Sequence, residues 1–184
     1  MTAGTRHVAF IRAINVAGHA VVKMDRVRDA FAAAGCRNVR SYIQSGNLLF
    51  DAPGATGPLF WRIRSRVGAL LGEPPVIMFR TIRQLATMVK REPFGALPAN
   101  RTVKLCVVFL AGKPRQAPAL PLRSAQEALE LIALRGQDAY VVSRRKKNGF
   151  YGFPNNFVES ELGVPSTSRN WSTVTRIVAL PLVT

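Results

Sequence analysis

Acidic residues are scarce in this chain: 10 Asp and Glu stand against 26 Lys and Arg, a formal charge of +16 at pH 7. Carboxylates therefore offer little for paired acid–base work or a hard-cation site, and no DxD-like pair occurs. Histidine is scarcer still. His7 and His19 are the two present, neither has a carboxylate close in sequence, and no H-E-x-x-H or G-x-S-x-G stretch is found. Cys36 and Cys106 stand alone, without a C-x-x-C or a histidine cluster, which argues against a disulfide framework or a zinc site and fits a reducing compartment. No run approaches the ~18 apolar residues of a membrane span. The N-terminal stretch is interrupted by Arg6, His7, Arg12, Asn15 and His19, unlike the apolar core of a signal peptide. The expectation is a cytoplasmic protein with no membrane partner, no cofactor, no metal and no recognisable catalytic residue.

What is present is ordinary in bulk: 184 residues and 48% hydrophobic content suit one compact domain or two small halves sharing a core. The excess of positive charge is not ordinary. It draws polyanions at long range, so nucleic acid is a possible partner. The competing reading is compositional habit, because 20 of the basic residues are Arg and they spread from Arg6 to Arg176.

Hydrophobic periodicity orders the first half. "HVAFIRAI" (7–14) reads as a strand, followed by a helix with Met24, Val27, Phe31 and Ala34 on one stripe and Gly35 as its stop. "VRSYIQS" and "NLLFDA" read as two strands closed at Ser45–Gly46, where glycine supplies the positive φ of a tight turn. "PLFWRIRSRVGALLG" is a second helix with Leu59, Ile63, Val67 and Leu70 inward, and "PPVIMFRT" a strand after it. Thr81 and Gln84 form a capping box for a third helix, ended by Pro93. "TVKLCVVFLAG" (102–112) is a central strand and "KPRQAPALPL" a connector. Ser124 and Glu127 form a second capping box that predicts a helix running to Gly136. "AYVVSRR" and "FYGF" flank the turn "KKNG" as a hairpin, and two helices follow, in "NNFVESELG" and "SRNWSTVTRIVAL".

The fold class expected is α+β: two interlocked ferredoxin-like (split βαβ) subdomains, 1–81 and 82–184, forming one structural domain. The predicted helix-facing residues of the first sheet are Val8, Phe10, Ile43, Leu48 and Phe50. Its other face still carries Ala9, Ile11, Tyr42, Leu49 and Met78, too apolar for an uncovered sheet, and the second half is the simplest cover. That disfavours an RNA-recognition motif, which needs an open sheet with exposed aromatics.

Four polar stretches are candidates for binding. In "FIRAINVAGH", Arg12, Asn15 and, further on, Lys23 leave a strand end and can fork onto an anion, although one loop glycine is too few for a phosphate-cradling loop. Gln44, Ser45 and Asn47 cluster at the hairpin tip, where they serve either a ligand or the turn itself. Ser166, Thr167, Ser168, Arg169 and Asn170 crowd a predicted helix start, with Trp171, Val174 and Ile177 on its buried side; free N–H groups and a partial positive charge make this an anion site or an over-provided cap. Arg144, Arg145, Lys146 and Lys147, with Tyr151 after them, form either a nucleic-acid ribbon or a solvated tip.

Taken together, "VAFIRAINVAGH…VKMDRVRDAFAAAGCRNVRSYIQSGNLLF" and "FVESELGVPSTSRNWSTVTRI" closely resemble the domain of unknown function 1697 family of small bacterial proteins. The resemblance covers nearly the whole chain, and Y-x-Q-S-G-N and T-x-R-N-W-x-T-V are its specific stretches. It implies an α+β fold of two ferredoxin-like subdomains, with polar family positions at Arg12, Asn15, Gln44, Ser45, Asn47, Arg169, Asn170 and Thr173, and it implies no established activity. Two departures stand out: Ala13 and Ala17 occupy places where the family has glycine, and "GFPNN" replaces a G-R-S-K-L-like stretch. The functional expectation is a small anionic or phosphorylated ligand held in a polar cleft between the halves, the alternative being nucleic-acid binding through dispersed Arg and the 144–147 run.

Overall fold

The structure is a computed structural model that describes residues 4–12, 14, 22–43 and 46–181. It is a mixed α+β protein with two antiparallel sheets and five helices among the described residues. The chain divides into two compact units, 1–84 and 85–184.

The first unit runs β1 (Thr5–Ile11), α1 (Met24–Ala33), β2 (Arg37–Ser41), β3 (Asn47–Ala52), α2 (Thr56–Leu71) and β4 (Ile77–Thr81). Its strand order is β2-β3-β1-β4 with every neighbour antiparallel, so each helical crossover skips one strand. Local signals set the helix ends. Gly72 takes the left-handed conformation with φ 78° after α2, and its N–H donates to Gly68 O at 2.8 Å. The core gathers Ala9, Ile11, Leu48, Phe50 and Ile77 from the sheet against Val27, Phe31, Leu59, Ile63 and Val67 from the helices.

This assignment corrects the expected faces of β1. Residues opposite each other in an antiparallel pair share a face, and the register places Ala9 against Leu48 and His7 against Phe50. Ala9 and Ile11 therefore face the helices, Val8 and Phe10 lie on the other face, and Ile43 is exposed. Val8, Phe10, Leu49 and Met78 are nonetheless buried as well. His7 is structural: its ring stacks 5.6 Å from Phe50, and Nδ1 donates to Thr5 O at 2.8 Å.

An ion pair ties the sheet surface. Arg6 grips Asp51 through Nε at 2.8 Å and Nη2 at 3.2 Å, and Asn38, in the bulge of β2, donates to the same carboxylate at 2.7 Å. The Arg6 hydrogen bonds, then that of Asn38, hold Asp51 below the usual carboxylate range. A depressed carboxyl contributes stability above its unfolded value, and that contribution is lost as pH falls through the folded one. Asp51→Asn is therefore expected to cost about 1 kcal/mol at neutral pH. Thermal unfolding at pH 7 and pH 3 checks this, since the gap between variant and wild type should close in acid.

The second unit contains α3 (Ile82–Lys90), whose first residues belong to the first unit, then β5 (Val103–Leu110), β6 (Leu122–Ser124), β7 (Leu129–Arg135), β8 (Asp138–Arg144), α4 (Pro154–Leu162), β9 (Ser166–Asn170) and α5 (Trp171–Ala179). The capping box before α3 forms as read: Gln84 N–H donates to Thr81 Oγ1 at 3.0 Å and Thr81 N–H to Gln84 Oε1 at 2.7 Å. Strand order is β6-β7-β8-β5-β9. Without β6, the order β7-β8-β5-β9 repeats that of the first sheet, with α4 in the place of α2 and residues 111–128 where the first unit has α1. One core lies between the sheet and α4, built on Val108, Leu110, Leu131, Val141, Phe157 and Val158. Phe94, Tyr140 and Trp171 form a separate aromatic group.

Three expectations fail here, two of them because strand pairing overrides local propensity. Residues 124–136 form strands and not a helix. Ser124 Oγ does accept the Glu127 N–H, at 3.3 Å, but it closes a turn in which Ala128 takes φ 53°. β7 then pairs with β8 across Gly136 and Gln137, with Arg135 opposite Asp138. Residues 150–153 form no strand after the Lys146–Gly149 turn. Residues 166–170 form β9 and not the start of a helix. β5 is a buried run with backbone groups to satisfy on both edges, and the Ser/Thr-rich stretch, poor in helix formers, fills its second edge.

Candidate functional site

In the first unit, Arg12 and Asn47 lie at one end of the sheet. Ile11 N–H donates to Gly46 O at 2.9 Å, which seats the hairpin tip beside the end of β1. Arg12 follows directly, half-buried, its N–H donating to Val76 O at 3.0 Å. Asn47 is fully buried, and its amide donates to Tyr42 O at 3.1 Å while Tyr42 N–H donates to Asn47 O at 2.9 Å. Its placement serves the turn. Lys23 is exposed in the position before α1. Asn15, Gln44 and Ser45 lie outside the described residues.

In the second unit, Ser168, Arg169 and Asn170 end β9, and Thr173 lies in the first turn of α5. Alternation along β9 sends Ser166 and Ser168 towards α4, where Ser168 Oγ donates to Asn155 Oδ1 at 3.4 Å and Glu159 Oε1 accepts from Ser166 N–H at 2.7 Å. Thr167 and Arg169 take the opposite face. Arg169 is only 9% exposed, and its Nη1 donates to Thr167 Oγ1 at 2.7 Å and to Ser168 O at 2.8 Å. Burial pulls its pKa down to about 10. Asn170 is exposed at the N-cap of α5 but makes no side-chain cap bond; its Oδ1 instead accepts from Cys106 Sγ at 3.8 Å. Thr173, half-buried, lies in the first turn. This is a concentrated donor set around a buried cation and a helix start, suited to oxygen anions.

Asn155 and Glu159, which orient the outer side of β9, were not legible as site residues, since "NNFVESEL" reads as an ordinary amphipathic helix. The cysteines offer no chemistry: both are buried, and desolvation raises Cys36 to about 12 and Cys106 to about 11. Among the described residues no cluster of metal-ligating side chains occurs, and no helix is long and apolar enough to cross a membrane.

The basic run of the alternative reading is largely engaged within the unit. Arg144 and Arg123 clamp Glu130 at 2.9 and 2.8 Å, Lys146 pairs with Glu127 at 3.2 Å, and Arg145 donates to Gly149 O at 2.9 Å. Tyr151 lies under Lys104, 3.8 Å from the ring centre, and donates to Arg101 O. Lys147 is exposed.

No curated protein matches the chain. A solved structure of a conserved bacterial protein from Streptococcus pneumoniae is similar, with a TM-score of 0.62, 18% sequence identity, and coverage of 96% of this chain and 98% of that one. At that identity the likeness speaks for the fold. The family model described as Protein of unknown function (DUF1697) matches residues 5–140, and the chain therefore belongs to that family.

Proposed function

We propose that the protein binds a small anionic ligand, bearing a phosphate or carboxylate, at the junction of β9 and α5. The observation that carries this reading is Arg169, a guanidinium buried at the end of β9: its Nη1 donates to Thr167 Oγ1 and Ser168 O, and burial depresses its pKa to about 10. A guanidinium presents five N–H donors in a fixed fork that matches the oxygens of a phosphate or carboxylate. The start of α5 adds N–H groups that Asn170 does not cap with its side chain, together with Thr173 in the first turn.

Inorganic phosphate is the first probe. At a concentration tenfold above its Kd it should add about 1.4 kcal/mol to stability, where sodium chloride at equal ionic strength adds nothing. Thr173→Val, which removes one hydroxyl at nearly constant volume, should weaken the phosphate response by a few-fold without altering the protein's melting in chloride. A melting temperature indifferent to phosphate, nucleoside monophosphates and dicarboxylates alike sinks the reading.

A further inference from the structure

The corner from β9 into α5 repeats, residue for residue, the corner from β4 into α3. Each edge strand pairs antiparallel with the strand beside it, Arg80 opposite Val8 in β1 and Arg169 opposite Val107 in β5. Each ends one residue later, at Thr81 and at Asn170, and a helix of 9 residues follows at once. Counted from the arginine, the buried helix positions also coincide: Leu85 and Met88 in α3, Val174 and Ile177 in α5. Both arginines are buried, and each turns Nη1 back onto the preceding carbonyl, Phe79 O or Ser168 O, at 2.8 Å. The stretches read "FRTIRQL" and "SRNWSTV", so the arginine is the one side chain they share.

What differs is the cap. At α3, Gln84 Oε1 accepts the Thr81 N–H at 2.7 Å and the Thr81 hydroxyl at 3.3 Å, while Thr81 Oγ1 accepts the Gln84 N–H at 3.0 Å. That corner closes on itself. The register makes Asn170 the counterpart of Thr81, and Thr173 that of Gln84. Threonine is too short to reach back to residue 170, and Asn170 turns its Oδ1 to Cys106 Sγ, so no cap bond forms. Two N–H groups that side chains satisfy at α3 therefore have no side-chain acceptor at α5 among the described residues.

We propose that the ligand's anionic group completes the α5 corner, one oxygen on the Asn170 N–H where Gln84 Oε1 stands at α3, a second on the Thr173 N–H in the place of Thr81 Oγ1. This rests on the anion site at β9 and α5 and names the residue that keeps it open: Thr173, whose short side chain leaves the corner unfilled. The two places are 3.3 Å apart at α3, close enough for one group to fill both. Both neighbours are donors, so the occupant carries two oxygens on one centre and no proton to offer them, as a phosphate or a carboxylate does.

The test is thermal melting of the full chain in sodium chloride and in inorganic phosphate at equal ionic strength. Thr173→Gln rebuilds the capping box: it should melt roughly 2–4 °C above wild type in chloride. Its affinity for phosphate should fall by at least about tenfold, because the carboxamide takes the ligand's place. Thr173→Met has similar reach without the acceptor; it should lose phosphate equally and gain nothing in chloride. Asn170 is exposed, so Asn170→Thr leaves the core untouched; it restores the hydroxyl alone and should weaken phosphate a few-fold. A Thr173→Gln protein that responds to phosphate as wild type does, or that melts no higher than Thr173→Met, overturns the proposal. Wild type indifferent to phosphate removes the anion site and this placement with it. Loss of the response in Arg169→Met, with Thr173→Gln still responding, removes the placement and leaves the site.

Discussion

Gly46→Ala is expected to lower stability by about 3 kcal/mol, a fall in Tm of roughly 10 °C for a chain of this size. Two costs add at this position. Gly46 has φ 69°, a conformation in which an L side chain costs about 1–2 kcal/mol. An added Cβ would also lie 2.4 Å from Ile14 Cγ2 and 3.0 Å from Ile11 O, and forcing atoms into a packed core costs about 1–3 kcal/mol. Ile14 is itself buried in the core, and Ile11 O belongs to the backbone of β1, which is locked between β3 and β4. The Ile11 N–H to Gly46 O bond cannot lengthen without parting the hairpin tip from the sheet. Chemical denaturation followed by circular dichroism measures the loss. Gly163→Ala is the control: there φ is 65°, close to that of Gly46, but nothing lies within 4 Å of the added carbon, so only the conformational part applies. Equal effects at the two glycines would mean that packing against β1 contributes nothing.

The same position shows what was legible in the sequence. "QSGN" between two apolar runs announces a turn, and glycine's φ follows from turn chemistry. The close approach of Ile11 and Ile14 does not, because it depends on β1 pairing with β3 rather than on neighbours in sequence. Helices α1, α2 and α3 were readable from their apolar stripes, with a glycine following α1 and α2 and a capping box opening α3. The sheet faces were not, because Val8, Ala9, Phe10 and Ile11 are all buried and an alternating pattern carries no signal when both faces are apolar. In the second half, local cues misled twice. The Ser124–Glu127 box and the Ser/Thr-rich stretch before Trp171 both resemble helix starts, yet each is drawn into a strand by an open edge of the sheet. The candidate site was legible as a list of residues, Ser168 to Thr173, but not in its form. Only the strand assignment puts Arg169 on the face away from α4 and buries it.

Arg169→Met is expected to raise the stability of the ligand-free protein by about 2 kcal/mol and to abolish its response to phosphate. Burial lowers the arginine well below its usual value, to about 10. At about 1.4 kcal/mol per unit this is a cost of roughly 3 kcal/mol. Both folded and unfolded chains carry the charge at neutral pH, so the cost is present in full there. Methionine matches the length of the aliphatic stem and fills the site without a charge to desolvate, a replacement that is commonly neutral or stabilising. At least about 1 kcal/mol is given back through lost hydrogen bonds, those to Thr167 Oγ1 and Ser168 O among them. The pH dependence has a definite sign. Above about 10 the unfolded chain still holds a proton on this group that the folded chain has released, so wild-type stability gains a term that rises with pH. The methionine variant lacks that term. Melting curves in chloride and in phosphate, from neutral pH to about 10.5, give both readouts from one pair of proteins. A variant that is less stable than wild type and still stabilised by phosphate would show that Arg169 supports the β9 strand and nothing more. A protein that keeps a costly buried charge which methionine improves upon, and loses anion binding with it, holds that charge for the ligand.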